Sequence, residues 1–89
     1  MEIKFTPQAI EDIIFWKKTG NKTIHKKIST LIGDILKHPY EGIGKPHGLK
    51  YELTGKWAGE INKKDRLIYQ MLNDDVLEIK SARGYYNDK

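Results

Sequence analysis

Hydrophobic residues in the first half of the chain recur at the spacing of amphipathic helices. The clearer of two such segments has an apolar stripe with a period of 3.6 residues, which predicts a long helix with one buried face. The helix is expected to close at His38-Pro39, because the residue before a proline is pushed out of the helical region. The stripe consists of Ile24, Ile28, Leu31, Ile32, Ile35 and Leu36.

A shorter helix is predicted upstream of this one. Thr6 can cap its N-terminus and Pro7 fits its first position, where no N–H is needed, while Gly20 ends it. Glu11 and Asp12 suit the positive end of the helix dipole. Its buried stripe is predicted to be Ile10, Ile13 and Ile14, with Trp16 near the edge.

Short apolar and alternating stretches predict strands on both sides of the helices. Residues 2–5 form one such stretch, and four more follow a loop rich in proline and glycine at 39–48: 49–53, 56–61, 66–72 and 76–82. Thr54-Gly55 and Asn73-Asp74-Asp75 are typical hairpin turns. The order β-α-α-β-β-β-β predicts one α+β domain over 1–89, with the helix hairpin on one face of a mostly antiparallel sheet.

Composition narrows the class of protein. The chain has 89 residues, 38% hydrophobic and 31% charged, as expected of a small globular domain. No apolar run approaches the roughly 20 residues of a membrane span and no signal-peptide pattern is present, so a cytoplasmic location is expected. With no cysteine and three histidines, a Cys/His zinc site is excluded, and neither a metal nor a cofactor is predicted.

The net charge of +4 favours an anionic partner such as RNA, DNA or an acidic protein segment. A lysine-rich surface that serves solubility explains the same charge, since fourteen of the sixteen basic residues are lysine. The two arginines, Arg66 and Arg83, are more informative, because a guanidinium group matches the geometry of a phosphate.

Several segments together resemble the Txe/YoeB family of bacterial toxins, within the RelE-like group of ribosome-dependent mRNA interferases. They are Trp16, Lys26-Lys27-Ile28, the loop 39–46 (Pro-Tyr-Glu-Gly-Ile-Gly-Lys-Pro), Leu49-Lys50, Leu53-Thr54-Gly55 before Trp57, and Arg66-Leu67-Ile68-Tyr69. The resemblance implies a toxin that enters the ribosomal A site and cleaves mRNA without a metal, the 2′-OH attacking its own phosphate to leave a 2′,3′-cyclic product. It also implies an acidic antitoxin partner and contact with operator DNA only through that antitoxin. It leaves open whether the toxin forms a homodimer.

The resemblance also assigns candidate catalytic residues. His47 stands where the family has a glutamate general base, and Arg66 retains the arginine expected to stabilise the phosphorane. Arg83 retains an arginine near the usual chain end. Tyr85-Tyr86 replaces the usual His-Tyr ending, whose histidine is the general acid. Neutral imidazole is an acceptable base, whereas a phenol is a weaker acid than imidazolium.

Other positions also depart from the family or leave a choice open. Gly59 and Glu60 replace two arginines, which should weaken contact with the ribosome or the mRNA. Residues 87–89 extend past the usual end. Lys45, Lys50 and Lys56 are candidate RNA contacts or solvated surface. His25 and His38 are predicted to be structural, and Trp57 and Tyr69 to belong to the core.

Four of the five candidate catalytic residues have a structural interpretation as well, whereas Tyr86 is predicted to act by stacking or proton transfer. His47, in a loop rich in proline and glycine, could simply be exposed, and Tyr85 could pack. Arg66 could pair with Asp65, Glu60 or Glu78, and Arg83 could make a structural pair at a strand end. The sequence therefore leaves a second function open: a toxin homologue that binds its antitoxin or the ribosome without cleavage. A gyrase-directed toxin on the same scaffold is disfavoured, because such proteins lack the Gly-Lys-Pro to Trp signature.

Overall fold

The computed structural model describes residues 2–50 and 54–84 and places two helices against a five-stranded sheet. This arrangement confirms the predicted α+β fold with its helix hairpin. The elements are β1 (Glu2–Phe5), α1 (Pro7–Lys18), α2 (Lys22–Lys37), β2 (His47–Gly48), β3 (Trp57–Glu60), β4 (Arg66–Asn73) and β5 (Val76–Ser81).

The strands lie in the order β1-β5-β4-β3-β2, so β4 is central. Among the described residues, β1 alone pairs in parallel, with β5. The helix hairpin follows β1 and leads to β2 at the opposite edge of the sheet. Adjacent pairs from β2 to β5 are antiparallel. The helix-facing side of the sheet meets α2 in a core whose largest fully buried side chains are Tyr69, Leu31, Leu67, Leu77 and Ile79.

The start of α1 follows its predicted chemistry. The Thr6 hydroxyl accepts the N–H of Ala9 and itself donates to the carbonyl of Lys80, 2.7 Å away, so one side chain caps α1 and ties it to β5. Asn21 caps α2 through the N–H of Ile24. No helix in the described part of the chain is long and apolar enough to cross a bilayer.

The prediction of which face of α1 is buried is wrong. Ile10 is 48% and Ile14 44% exposed, whereas Ala9 and Asp12 are buried and Ile13 is half-buried. Asp12 lies beyond the first helical turn, so its predicted role at the helix dipole is wrong too. Its carboxylate is instead hydrogen-bonded to the end of β5, which compensates for its burial. The helix therefore faces the sheet with the side that carries Asp12, and Ile10 and Ile14 lie outside this buried side.

The prediction that a strand begins at residue 49 is wrong. Pairing starts at His47, directly after Pro46, whose backbone has no N–H to donate, and β2 ends at Gly48. One further bond, from the Leu49 N–H to the carbonyl of Lys56, follows β2. Residues 51–53 lie outside the described residues. The other predicted strands differ from the observed ones by at most one residue at each end.

Candidate active site

The sheet face opposite the helices gathers two of the predicted catalytic residues. His47, Ala58 and Ile68 lie opposite one another across β2, β3 and β4, so their side chains share this face. Ala58 and Ile68 join Leu49 in a small cluster separate from the main core. Arg66 lies two residues from Ile68 on the same side of β4. We refer to this surface as the open face.

The register also sets the spacing between His47 and Arg66. Their Cα atoms are two strands apart and offset by two residues, which corresponds to about 12 Å. The His47 side chain is exposed on the edge strand, and Arg66 lies on the central strand. An imidazole and a guanidinium group can therefore approach one phosphodiester from two sides.

Arg66 is held in place by the loop between β3 and β4. It is 9% exposed, and its Nη1 donates to the backbone carbonyls of Asn62 and Asp65. Its Nη2 lies 4.0 Å from a carboxylate oxygen of Glu60, its direct partner across the strands. Of the ion pairs that the sequence allowed, the structure thus shows the one with Glu60. The two backbone carbonyls orient the guanidinium group, and the nearby carboxylate offsets part of its charge.

Glu78, the other acidic candidate on the sheet, pairs with Lys80 on β5. Of the two positions at which the sequence resemblance predicts arginine, 59 and 60, only that of Glu60 lies on the open face. Gly59 is on the helix side, where a side chain would meet the ring of Tyr69 at 3.9 Å. The charge reversal at Glu60 is therefore the departure that acts on Arg66.

The loop between β3 and β4 also holds the segment that follows β5. The Asp65 carboxylate accepts the N–H of Gly84 at 2.8 Å, and the Arg66 N–H donates to the Gly84 carbonyl at 3.0 Å. Gly84 has a φ of +83°, a conformation that favours glycine. It immediately precedes Tyr85 and Tyr86, both of which lie outside the described residues.

Arg83 is held by α1. Its guanidinium carbon lies 4.0 Å from the centroid of the Phe15 ring, a cation–π contact, and the side chain is exposed. The two arginines of the chain are therefore fixed by different elements, Arg66 by the β3–β4 loop and Arg83 by a helix. This contact supports the structural interpretation of Arg83.

The loop before His47 is anchored at several points. The Tyr69 hydroxyl donates to the Pro39 carbonyl at 2.5 Å, and burial raises the pKa of Tyr69, so this donor stays protonated in the physiological range. Asp34 accepts the N–H of Ile43 at 3.1 Å, and the Gly44 carbonyl accepts the N–H of Glu60 at 2.7 Å. The loop is thereby fastened to α2, β3 and β4.

The remaining predicted residues are distributed around this framework. Lys45 has a φ of +48° and, like Lys50, is exposed, while Lys56 is half-buried beside β3. Tyr69 is fully buried, and Trp57 packs against the core with its ring 4.7 Å from that of Tyr40, which confirms the structural prediction for both. The backbone of His38 caps α2.

Sequence reasoning missed the contacts that α1 makes with the end of β5. Asp12 and Trp16 both hydrogen-bond to the backbone of Ala82. A signal was present, because the two residues are four positions apart and therefore lie on the same face of a helix. The hydrophobic pattern hid it, since it assigned that face to isoleucines.

Comparison with solved structures shows close similarity over nearly the whole chain. The YoeB/ParE toxin from Agrobacterium tumefaciens superposes with a TM-score of 0.92 at 30% identity, covering 97% of this chain and 100% of that one. A YoeB–YefM complex from Staphylococcus aureus gives a TM-score of 0.86 at 39% identity, covering 97% and 98%. The fold is thus that of a small bacterial toxin.

The sequence comparisons narrow this class. "Toxin YoeB" of Mycobacterium bovis is 42% identical over 84 residues, which is 94% of this chain and 96% of the relative. A family model for the YoeB-like toxin of bacterial type II toxin–antitoxin systems matches residues 5–86. The chain belongs to this YoeB-like toxin family, as the resemblance in its sequence predicted.

Proposed function

We propose that this toxin is a ribosome-dependent mRNA endonuclease that needs no metal ion and inhibits translation. The observation that carries the proposal is the placement of His47 and Arg66 on one sheet face, about 12 Å apart between Cα atoms. A base and a fixed cation at this spacing suit cleavage of RNA by its own 2′-OH.

In the proposed reaction, His47 takes the proton of the 2′-OH and the 2′-oxygen attacks the adjacent phosphorus. The bond from phosphorus to the 5′-oxygen breaks, leaving a 2′,3′-cyclic phosphate on one product. Arg66 stabilises the charge that develops on the non-bridging oxygens. The 5′-oxygen takes up a proton, for which Tyr85 and Tyr86 are the candidate donors from the sequence. Arg83 is a further candidate contact, and Lys45, Lys50 and Lys56 are candidate contacts to the RNA backbone.

The proposal includes a protein partner. The Staphylococcus aureus relative was solved as a YoeB–YefM complex and as a YoeB dimer. We propose that this chain likewise binds an acidic antitoxin segment, which its charge of +4 favours. Covering the open face would block access to RNA. The toxin would contact operator DNA only through the antitoxin. A second copy of the toxin is a further proposed partner, and the proposed site of action is the cytoplasm.

The ion pair between Arg66 and Glu60 favours a second candidate function. The guanidinium group lies 4.0 Å from a carboxylate at a position where the family carries an arginine. If this pair neutralises Arg66 fully, the toxin binds its antitoxin or the ribosome without cutting mRNA.

Primer extension on translated mRNA separates the two functions. We expect purified toxin to create new RNA ends within codons when ribosomes translate the message, and none on the same RNA without ribosomes. The upstream fragment should carry a cyclic phosphate, so that poly(A) polymerase extends it only after phosphate removal. Growth arrest without new ends would instead support binding without cleavage.

Neutralising Glu60 tests how strongly the ion pair restrains Arg66. We expect Glu60→Gln to raise the rate of cleavage roughly three- to ten-fold, because a carboxylate about 4 Å from the guanidinium is worth on the order of 1 kcal/mol at a partly exposed site. Glu78→Gln is the matched control, since Glu78 pairs with Lys80 and should change the rate less than two-fold. Equal rates for both variants would show that Glu60 does not restrain Arg66.

A further inference from the structure

Two side chains of helix α1 form hydrogen bonds with the backbone of Ala82, one with its N–H and one with its carbonyl. The Asp12 carboxylate accepts the N–H of Ala82 at 2.9 Å, and the Trp16 indole donates to its carbonyl at 2.8 Å. Ala82 is fully buried and directly follows β5. These two side chains and Ala82 are called the Ala82 clamp below.

The buried carboxylate of Asp12 indicates that the Ala82 clamp does more than pack α1 against the sheet. Asp12 is 2% exposed, and a buried carboxylate is costly unless its oxygens are satisfied. Here one oxygen accepts from Ala82 and the other from the side-chain amide of Gln8 at 2.8 Å. An apolar residue would pack α1 without that cost but could not hold the amide of Ala82. The charged bond fixes the position of this peptide group.

The two residues after Ala82 are also anchored. Arg83 lies on the Phe15 ring of α1, and Gly84 exchanges hydrogen bonds with the backbone of Arg66 and the carboxylate of Asp65. Three consecutive residues are therefore held, first by the helix and then by the loop that orients Arg66. The chain passes from the clamp to the Arg66 backbone within two residues.

We propose that Asp12 and Trp16 are positioning residues for catalysis. By fixing Ala82 they set the path of Arg83 and Gly84. They thereby hold Gly84, which precedes Tyr85 and Tyr86 in the sequence, against the backbone of Arg66. This inference rests on the proposed endonuclease activity. Helix α1, which lies on the sheet face opposite to the open face, would thereby control the geometry of the reacting groups.

The test uses Asp12→Ala and Trp16→Phe, each of which removes one bond of the clamp. We expect kcat for cleavage of ribosome-bound mRNA to fall about ten-fold or more, with little change in the half-saturating toxin concentration, because misplaced groups slow the chemical step. Asp12→Asn should retain most of the rate, because an amide oxygen still accepts from Ala82. Glu11→Ala, an exposed neighbour on α1, should match the wild type.

Two further measurements separate positioning from loss of stability. Ile28→Val, a core change on α2, is the reference for a toxin that is less stable but has an intact clamp. Hydrogen exchange reports directly on the segment: in both clamp variants the Gly84 amide should exchange at least about ten-fold faster, and in Ile28→Val it should not. Rates that track thermal stability alone across all variants would overturn the inference.

A toxin that never cuts would refute the proposed function and, with it, the catalytic part of this inference, and exchange of the Gly84 amide would then test its structural part. Faster exchange of this amide in the clamp variants would support the coupling between α1 and the Arg66 loop, and unchanged exchange would overturn it.

Discussion

Replacing both His47 and Arg66 by alanine is expected to lower mRNA cleavage by about 10³-fold or more and to abolish growth inhibition. A general base commonly contributes about 10²–10⁴-fold, and a fixed group that stabilises the transition-state charge about 10²–10³-fold. The two factors are not expected to multiply fully, because both groups act on one transition state. Primer extension on translated mRNA measures the rate, and induced expression measures toxicity.

Arg66 also supports the β3–β4 loop through the carbonyls of Asn62 and Asp65, so each variant needs a check of its fold. Thermal unfolding and co-purification with the antitoxin provide it. His25→Ala with Lys18→Ala changes the same kinds of charge on the helices and should stay as toxic as the wild type. A double variant at 47 and 66 that folds and remains fully toxic would show that the open face is not the catalytic site.

The fold could be predicted largely because its signals are local. Three such signals depend on neighbours in sequence: the 3.6-residue stripe of α2, the cap at Thr6 and the turn at 73–75. The structure has all three. The buried face of α1 could not be predicted in this way. It depends on Asp12 meeting Ala82, 70 residues away, which no periodicity of apolar residues reports.

The candidate site was predictable only in part for a related reason. The resemblance supplied His47 and Arg66 one by one, but only the strand register shows that they share a face. The same register puts Glu60 opposite Arg66, where the sequence had left three carboxylates as alternatives. Alternation within a strand can be read from the sequence, whereas the pairing of one strand with another depends on the whole fold.

Gly33 in α2 and Gly42 in the loop before His47 should respond to substitution by alanine in opposite directions. Gly42 has a φ of +128°, which L-residues rarely adopt, and an added Cβ would lie 1.9 Å from a carboxylate oxygen of Asp34. That same oxygen accepts the N–H of Ile43, so moving it breaks a bond that anchors the loop. Backbone strain and the lost bond together should cost about 2–4 kcal/mol.

Gly33 provides the matched control. It lies inside α2, where an added Cβ meets no atom within 4 Å, so Gly33→Ala should raise the free energy of unfolding by about 0.5–1 kcal/mol. Urea unfolding measures both changes. Because the loop of Gly42 leads directly into His47, Gly42→Ala should also slow cleavage at temperatures where it remains folded, whereas Gly33→Ala should not. A Gly42→Ala toxin as stable and as active as the wild type would show that this loop does not need its left-handed glycine to place His47.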